Sequence, residues 1–421
     1  MAAGDRVPAG ILTIEAFGLG DQRMREFAML PWKLYRGDPN WTPPLTADLL
    51  GSKLLGMKGL LTAEHPYHEH AEVMHFIARR GGRAIGRVSA AINRRFNDHY
   101  GTKLGFFGFF EVARDYEAAA ALLDAAKEWI AARGMTAMRG PGEYSNATHE
   151  RQALLVDGFE YPPTVELTHN PPYYGEFLEL YGLRKVKDYV AYRIVRDEVP
   201  SERLARLAEG VRKRNKLTTR SVDLSRFTEE VRLIVHIYNK AWSANWGFLP
   251  VTDGEADALA ETLRPIVDPG MIRFAFAGDE PVSVLGAIPD PNWALRPRWR
   301  WYGDSDPVRL ARLFAMRRNI PRLRFMFFGI VPGYRQVFGV DALLFQELWE
   351  YGVPKGYLEG EASLLLEDND AIIRDTAALG GKEYKRWRIY EMPLGSAEER
   401  PAEKKPAEKK PRAARRRPAK K

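Results

Sequence analysis

An internal repeat constrains the fold of this chain more than any other feature of its sequence. Residues 106–123 (FFGFFEVARDYEAAAALL) align without gaps on residues 327–344 (FFGIVPGYRQVFGVDALL), with seven identical positions at a constant offset of 221. Each copy has the pattern of an apolar strand, a short turn and a helix with apolar periodicity. A chain that carries such a repeat is expected to fold as two related units.

Other elements recur in the same order on the N-terminal side of this block. Two segments, 76–92 and 272–288, alternate apolar and polar residues around a polar, glycine-containing turn, which predicts two β-hairpins. Each unit therefore reads as helix, helix, hairpin, strand, helix, strand, helix, strand. The prediction is an α+β fold with two lobes, residues 1–197 and 198–395, each a mixed, mostly antiparallel sheet flanked by helices. A basic helix over 201–216 is expected to connect the lobes.

Composition limits the classes of protein that this chain can belong to. Of the 421 residues, 45% are hydrophobic, which is enough for two buried cores, and there is no cysteine. Disulfides, thiolate metal sites and a cysteine nucleophile are therefore excluded. The sequence has no apolar run long enough to cross a bilayer and no apolar core of a signal peptide near Met1. We expect a cytoplasmic protein whose only means of membrane association is peripheral contact at the inner membrane.

The net charge of +8 belongs almost entirely to the C-terminal segment. Residues 398–421 contain 11 Lys or Arg and 4 Asp or Glu, which gives +7 and leaves about +1 for the rest of the chain. This segment is a Pro/Ala/Lys repeat without aromatic residues, so residues 396–421 are predicted to be disordered. Two interpretations stay open, an electrostatic tether to nucleic acid or an anionic membrane, and a solubilising tail without a specific partner.

A chain that ends at Gly395 is expected to melt at nearly the same temperature as the full chain, because the tail has nothing to bury. Calorimetric or circular dichroism melts of both chains test this expectation. A melting temperature lowered by several degrees would show that the tail packs against the body.

Residues 331–344 carry the motif with the clearest chemistry. Arg335, Gln336 and Gly339 stand in a turn that opens a predicted helix, where backbone N–H groups, the helix dipole and an arginine suit a diphosphate. The segment resembles the strand-to-helix signature of the GNAT superfamily of acyl-CoA-dependent N-acyltransferases, Arg/Gln-x-x-Gly-x-Gly/Ala, counted from Gln336. It departs from that pattern at Asp341, which stands at the last small position. The resemblance implies acyl-CoA as the acyl donor.

The end of the second lobe also resembles this superfamily. Asn369 is followed by Gly380 and an amphipathic closing strand over 382–390, as in the family, which implies that Asn369 lies close to the donor. The tyrosine that commonly acts as proton donor seven residues after the asparagine is Thr376 here, and Phe177 in the first lobe.

The whole of residues 11–392 resembles a widespread family of bacterial tandem-GNAT proteins. The matching pieces are Asp38-Pro39-Asn40-Trp41, His65-Pro66-Tyr67, residues 105–111, Asp157-Gly158-Phe159 and Glu367-Asp368-Asn369. The family resembles bacterial ceramide synthases, which acylate a long-chain amine. It implies an amine acceptor, which composition and spacing alone do not identify.

Three residues are candidates for the chemistry of amide formation, which needs a base for the amine. Glu111 stands at the end of the predicted central strand of the first lobe. The alternative for Glu111 is an acid that complements a helix dipole. His65 and His70 belong to the only histidine concentration in the chain and are candidates for a base or for polar lining of an acceptor groove. Pro66 prevents a helix that would align these histidines as metal ligands, so no metal is expected.

We expect the two lobes to bind different substrates. The first-lobe turn carries Glu111, Asp115 and Glu117, whose charges oppose a phosphate, whereas the second-lobe turn carries Arg335. The donor is therefore expected in the second lobe and the acceptor, with Glu111, in the first. The two sites would meet across a groove between the lobes.

Two other classes of function stay open. Tandem GNAT lobes also resemble enzymes that transfer amino acids from aminoacyl-tRNA to cell-wall precursors, and a basic tail fits such a partner. The altered signature and the missing tyrosine are compatible with a non-catalytic binding protein. Binding of CoA favours the acyltransferase, salt-dependent binding of tRNA favours the second class, and neither favours the third.

Overall fold

A computed structural model describes residues 9–54, 56–144, 151–215, 217–296, 305–335 and 339–395. The basic tail, residues 396–421, lies outside the described residues, so its disorder and its partners stay predictions. Gln336 of the turn also lies outside them.

The described residues form one sheet of 13 strands. The strands are β1 Leu12–Phe17, β2 Ala71–Arg80, β3 Arg83–Asn93, β4 Leu104–Val112, β5 Ala137–Gly140, β6 Leu154–Asp157, β7 Arg184–Val195, β8 Leu217–Ser221, β9 Ile272–Ala277, β10 Glu280–Pro289, β11 Arg322–Ile330, β12 Glu359–Leu366 and β13 Lys382–Pro393.

Helices flank the sheet between these strands. The α-helices are α1 Met24–Met29, α2 Pro31–Leu34, α3 Thr46–Leu50, α4 Arg94–Tyr100, α5 Tyr116–Ala131, α6 Tyr173–Tyr181, α7 Ser201–Asn215, α8 Phe227–Ala241, α9 Asp253–Leu263, α10 Asn292–Leu295, α11 Asp306–Met316, α12 Val340–Gly352 and α13 Asp370–Ala378.

The predicted fold class is confirmed, and the two copies of the repeat have the same structure. The first copy is strand β4 followed by helix α5, and the second is strand β11 followed by helix α12. The two predicted hairpins are β2–β3 and β9–β10, each paired antiparallel. Each half also begins with a short strand that the predicted order of elements omits, β1 beside β2 and β8 beside β9.

The two halves exchange their last strands. The order in the sheet is β1-β2-β3-β4-β5-β13-β7-β12-β11-β10-β9-β8, and β6 also pairs with β13. Strand β13, the end of the second half, therefore lies against β5 and β6 of the first half, and β7, the end of the first half, lies against β12 of the second. The boundary proposed near residue 197 stays a prediction, and each half completes its part of the sheet with a strand from the other.

Three antiparallel pairings at the centre of the sheet reverse the direction of one half relative to the other. Strand β4 is parallel to β5, the next three pairings along the sheet are antiparallel, and β12 is parallel to β11. Three reversals leave β4 and β11 antiparallel. The turns that follow them therefore face opposite ends of the sheet.

Candidate active site

A bulge in β4 decides which way Glu111 points. Phe106 and Phe109 lie in the hydrophobic cluster on one face of the sheet, and Phe107 and Phe110 lie in the cluster on the other face. If side chains alternated strictly between the two faces of β4, Phe109 would lie on the same face as Phe107. Phe109 has a φ of 48°, and the pairing of β3 with β4 shifts by one residue at this point. Because of the shift, Phe109 and Glu111 face the side of Phe106 and not the side of Phe107.

A cavity of about 100 Å³ lies at this end of β4. Regular pairing of β4 with β5 ends at Phe106 and Arg139, and beyond it residues 141–143 approach β4 only through their backbone. Gly108 permits that approach, since a Cβ there would lie 2.3 Å from the Glu143 carbonyl oxygen. The lining combines apolar with polar side chains, including Trp32, Trp41, Leu49, Leu167, Arg87, Glu111, Arg151 and His169.

Glu111 is held in this cavity by two tyrosines and an arginine. The hydroxyls of Tyr35 and Tyr174 donate to its Oε2 at 2.7 and 2.9 Å, and Arg87 Nη2 lies 3.9 Å from Oε1. Burial raises the pKa of Glu111, and Arg87 and the two hydroxyls only partly offset the rise. Burial and the Glu111 charge also raise the pKa values of Tyr35 and Tyr174 well above 10, so both stay neutral donors. A carboxylate with a raised pKa is a better proton acceptor than an exposed one.

Arg87 is fixed more firmly than a surface arginine. Its Nη1 donates to the backbone oxygens of Phe27 at 2.6 Å and Ala28 at 3.2 Å. Its guanidinium lies over the rings of Phe27 and Phe109, 4.9 and 5.3 Å from their centres. The positive charge beside Glu111 is therefore part of the framework of the cavity.

His169 is a cavity residue that the sequence did not reveal. Its Nε2 lies 2.9 Å from Asp38 Oδ2, and its backbone oxygen accepts from the Tyr35 hydroxyl at 3.2 Å. Burial would raise the pKa of Asp38, but the bonds from His169 and from backbone N–H groups lower it. Asp38 and Tyr35 stand in sequence motifs of the first half, whereas His169 stands more than 130 positions away in sequence, where nothing indicates the contact.

Acidic side chains lie with Arg151 near the part of the cavity wall formed by residues 141–143 and 151–154. Arg151 pairs with Glu143, and burial raises the pKa of Asp48 to about 6, although Arg151 opposes the rise. Glu166 lies 3.5 Å from Arg324 of the second half, and burial raises its pKa too. Carboxyl groups in such surroundings suit a cationic or hydroxylated head group.

Helix α11 of the second half binds the loop of residues 43–46, which forms part of the cavity wall. Arg309 of α11, which is buried, donates to the backbone oxygens of Pro43 and Pro44. Asp306 of the same helix accepts from the Thr46 N–H at 2.7 Å. Because Pro44 lines the cavity, its shape depends on both halves of the chain.

The structure does not bring His65 and His70 to Glu111. Neither histidine lines the cavity. His65 Nδ1 accepts from the Tyr67 N–H at 3.3 Å, and burial lowers the His65 pKa to about 4. His70 Nε2 lies 4.0 Å from Glu255 of the second half, and burial lowers its pKa as well. A catalytic role for His65 and His70 stays a prediction, and the structure places both histidines outside the cavity that contains Glu111.

The predicted donor residues gather around the turn after β11. Arg335 donates to the backbone oxygens of Ala241 and Ile330, and Gly339 begins α12 with a φ of 88° and no side-chain cap. Asn369 caps α13, where its Oδ1 accepts from the Ile372 N–H at 3.4 Å. These three residues follow two parallel neighbouring strands and so lie at one end of the sheet.

The structure places the predicted base and the predicted donor turn far apart in the sheet. Strands β4 and β11 are five strand positions apart, about 24 Å at ~4.8 Å per position, and they run in opposite directions. The turns that follow these two strands therefore face opposite ends of the sheet. The expectation that the donor and acceptor sites meet in a groove between the lobes stays a prediction.

The turn after β4 carries its carboxylates in ion pairs. Asp115 caps α5 through the Ala118 N–H at 3.1 Å and pairs with Arg80 at 2.8 Å, and Glu117 pairs with the same arginine at 2.7 Å. Arg114, the repeat counterpart of Arg335, is exposed beside them. The repulsion of phosphate that the sequence predicted for this turn is thus reduced by Arg80.

The part of the chain that the structure describes lacks two features, a cluster of metal ligands and a membrane-spanning helix. It contains no group of three or more histidine or carboxylate side chains placed to hold a metal ion. Nor does it contain a helix that is both long and apolar enough to span a membrane.

Comparison with known proteins places these features in a family. No protein-family model matches the chain. Bacterial ceramide synthase from Caulobacter vibrioides (strain NA1000 / CB15N) is 31% identical over 378 residues, 88% of this chain and 95% of that protein. Protein YghO of Escherichia coli (strain K12) is 29% identical over 382 residues, 89% and 94% of the two chains. A tandem GNAT protein from the clavulanic acid biosynthesis pathway aligns in structure with a TM-score of 0.53 and 14% identity, over 91% of this chain and 99% of that one.

This chain belongs to the tandem GNAT family. The identity to the ceramide synthase covers nearly the full length of both chains, and the solved tandem GNAT protein has the same fold. Membership in the tandem GNAT family supports N-acyl transfer as the general chemistry. The base, the donor site and the acceptor are not fixed by it.

Proposed function

We propose that the chain transfers an acyl group from acyl-CoA to an amine in the cavity of the first half, with Glu111 as the base. The observation that carries the proposal is the carboxylate of Glu111, turned into the cavity by the bulge at Phe109 and held by Tyr35 and Tyr174. The corresponding position at the 221-residue offset is Pro332, so the second half has no equivalent carboxylate.

The chemistry of amide formation fits these groups. The amine attacks the thioester carbon, a C–N bond forms, the C–S bond breaks, and the nitrogen loses a proton. Glu111 takes that proton, and the departing CoA thiolate takes it up, so the carboxylate is regenerated. Tyr35 and Tyr174 keep the carboxylate oriented and Arg87 favours its charged form, while burial keeps its pKa raised.

The donor that serves Glu111 belongs at the turn after β4. This turn is the one that follows the strand carrying Glu111, and the Arg335 turn faces the other end of the sheet. Arg114 is exposed there, and Arg80 pairs with the two nearby carboxylates and offsets part of their charge. Arg114 is accordingly proposed to contact the CoA phosphates.

Replacing Arg114 with alanine is expected to weaken CoA binding by about 1.5–3 kcal/mol, the usual loss for a hydrogen bond to a charged group. The matched variant Arg335→Ala, its repeat counterpart, is expected to bind CoA almost as the parent does. Calorimetric titration of CoA into the three proteins measures both effects.

The reverse result would place the donor in the second half and separate it from Glu111. If the parent itself does not bind CoA, the acyl-CoA proposal gives way to the alternatives. Salt-dependent binding of aminoacyl-tRNA would then favour the tRNA-dependent transferase, and absence of both ligands would favour a non-catalytic protein.

A long-chain amine is the proposed acceptor. A relative that is 31% identical is named as a ceramide synthase, and one part of the cavity is lined by Trp32, Trp41, Leu49 and Leu167. Apolar and aromatic side chains suit an alkyl chain, and the carboxylates near Arg151 suit its polar head. Assays with long-chain and short-chain amines, followed by mass spectrometry of the products, test this choice.

A further inference from the structure

The outward side of α11 is unusual for a surface helix. The structure describes this helix in full, and its five most exposed positions from Pro307 onward are all apolar. We call them the α11 outer face: Pro307, Val308, Ala311, Phe314 and Ala315. Val308 is 52% exposed and Phe314 is 49% exposed, and α10, which packs on α11, exposes 41% of Trp293. A surface helix usually has polar residues on its solvent side, so this face has the composition of an interaction surface.

Positive charge borders this apolar face. Arg317 and Arg318 follow α11 directly and are exposed, and the Arg317 guanidinium lies 5.5 Å from the centre of the Phe314 ring. In the described part of α11 and the two residues after it, the one carboxylate is Asp306. Asp306 is bound to Thr46 of the first half. Apolar side chains next to arginines are typical of helices that lie in the interface of an anionic bilayer.

We propose that the α11 outer face docks on the surface of an anionic lipid bilayer. Val308 and Phe314 enter the boundary between head groups and acyl chains, and Arg317 and Arg318 contact the lipid phosphates. The inference goes beyond acyl transfer and does not depend on the identity of the donor, the base or the acceptor.

The opposite side of the same helix leads to the cavity. Arg309 and Asp306 bind the backbone of residues 43–46, and Pro44 lines the cavity that contains Glu111. The docked lipid surface would therefore lie about one helix diameter, roughly 10 Å, from that loop. An amine with a long alkyl chain that resides in the bilayer would have a short path to the cavity.

A second copy of the chain fits the same face less well. The patch presents only a few large apolar side chains, whereas a specific dimer buries about 800 Å² on each partner. The exposed Arg317 and Arg318 at the end of the face favour an anionic partner.

The test uses the full chain and vesicles of two compositions, phosphatidylcholine alone and phosphatidylcholine mixed with phosphatidylglycerol. Binding is measured by co-sedimentation at low and at raised salt, because salt screens the basic tail more than it weakens apolar insertion. We expect Phe314→Ser to lower partitioning onto the mixed vesicles by about tenfold at either salt concentration. The double variant Arg317→Glu, Arg318→Glu should lose binding to the mixed vesicles mainly at low salt.

Leu180→Ser is the matched control, since Leu180 is 67% exposed on α6 of the first half. It should bind vesicles as the parent does. The proposal is overturned if Phe314→Ser partitions like the parent, or if Leu180→Ser loses as much binding. It is also overturned if the parent is a dimer that Phe314→Ser converts to a monomer while vesicle binding is unchanged, because the face would then be a protein interface. Melting temperatures of all variants confirm that each is folded.

Discussion

Replacing Glu111 with glutamine is expected to lower kcat for acyl transfer by about 10²- to 10⁴-fold, the usual contribution of a positioned general base. Glutamine keeps an oxygen that accepts from Tyr35 and Tyr174, so the local structure should persist. The raised pKa of Glu111 means that folding disfavours the ionised form of this side chain. The contribution of Glu111 to the free energy of unfolding therefore falls as pH rises through that pKa. At neutral pH the variant should therefore melt no lower than the parent.

The pH profile separates catalysis from simple binding. The rate of the parent should fall as pH drops through the raised pKa of Glu111, because the base becomes protonated. Glu111→Gln should lack this acidic limb. Glu128→Gln is the control, since Glu128 is an exposed carboxylate farther along α5, and it should retain both rate and profile. An active Glu111→Gln with the parental profile would remove Glu111 from the mechanism.

Loss of the exchanged strand is expected to unfold the first half. Without β13, strands β5, β6 and β7 each lose a neighbour in the centre of the sheet. Residues 1–197 expressed alone should show no cooperative melting, whereas co-expression with residues 198–421 should yield a 1:1 complex with acyl-transfer activity. A cooperative thermal transition of the isolated first half would contradict this expectation.

A point substitution in β13 measures the contribution of this strand to the stability of the intact chain. Trp387 on β13 is fully buried, and its indole N–H donates to the Thr168 backbone oxygen at 3.0 Å. Trp387→Ala should lower the free energy of unfolding by about 3–5 kcal/mol, as measured by denaturant titration. Lys382→Ala, at an exposed position of the same strand, should change it by less than about 0.5 kcal/mol.

The repeat allowed the units of the fold to be predicted but not their partners. Apolar alternation in residues 184–195 and 382–393 indicates strands with a buried face, and it says nothing about which neighbouring strand each one pairs with. Both strands follow a helix and a glycine turn, so either could pair next to β5. Which neighbour each strand takes depends on the packing of whole halves, which local apolar alternation does not encode.

The sequence likewise predicts only part of the candidate site. Glu111 was predicted from its position at the end of an apolar strand, but the side on which it lies depends on the bulge at Phe109. A left-handed phenylalanine has no signature in the sequence, since glycine is the residue usually found there. His169 joins the cavity through tertiary contacts only. The prediction of a donor site in the second lobe rests on local charge in the sequence, and Arg80, which pairs with Asp115, comes from a strand more than 30 positions earlier.

The exchanged strands give the chain the architecture of a symmetric dimer whose subunits have been joined end to end. In a true homodimer one gene encodes both sites, so a substitution that improves one must appear in the other. Joined copies are free of that coupling. One half can keep Glu111 while the other acquires Pro332, provided that each continues to supply the strand that its neighbour requires. A catalytic half and a supporting half can thus diverge within a single polypeptide while selection on the shared sheet keeps both folded.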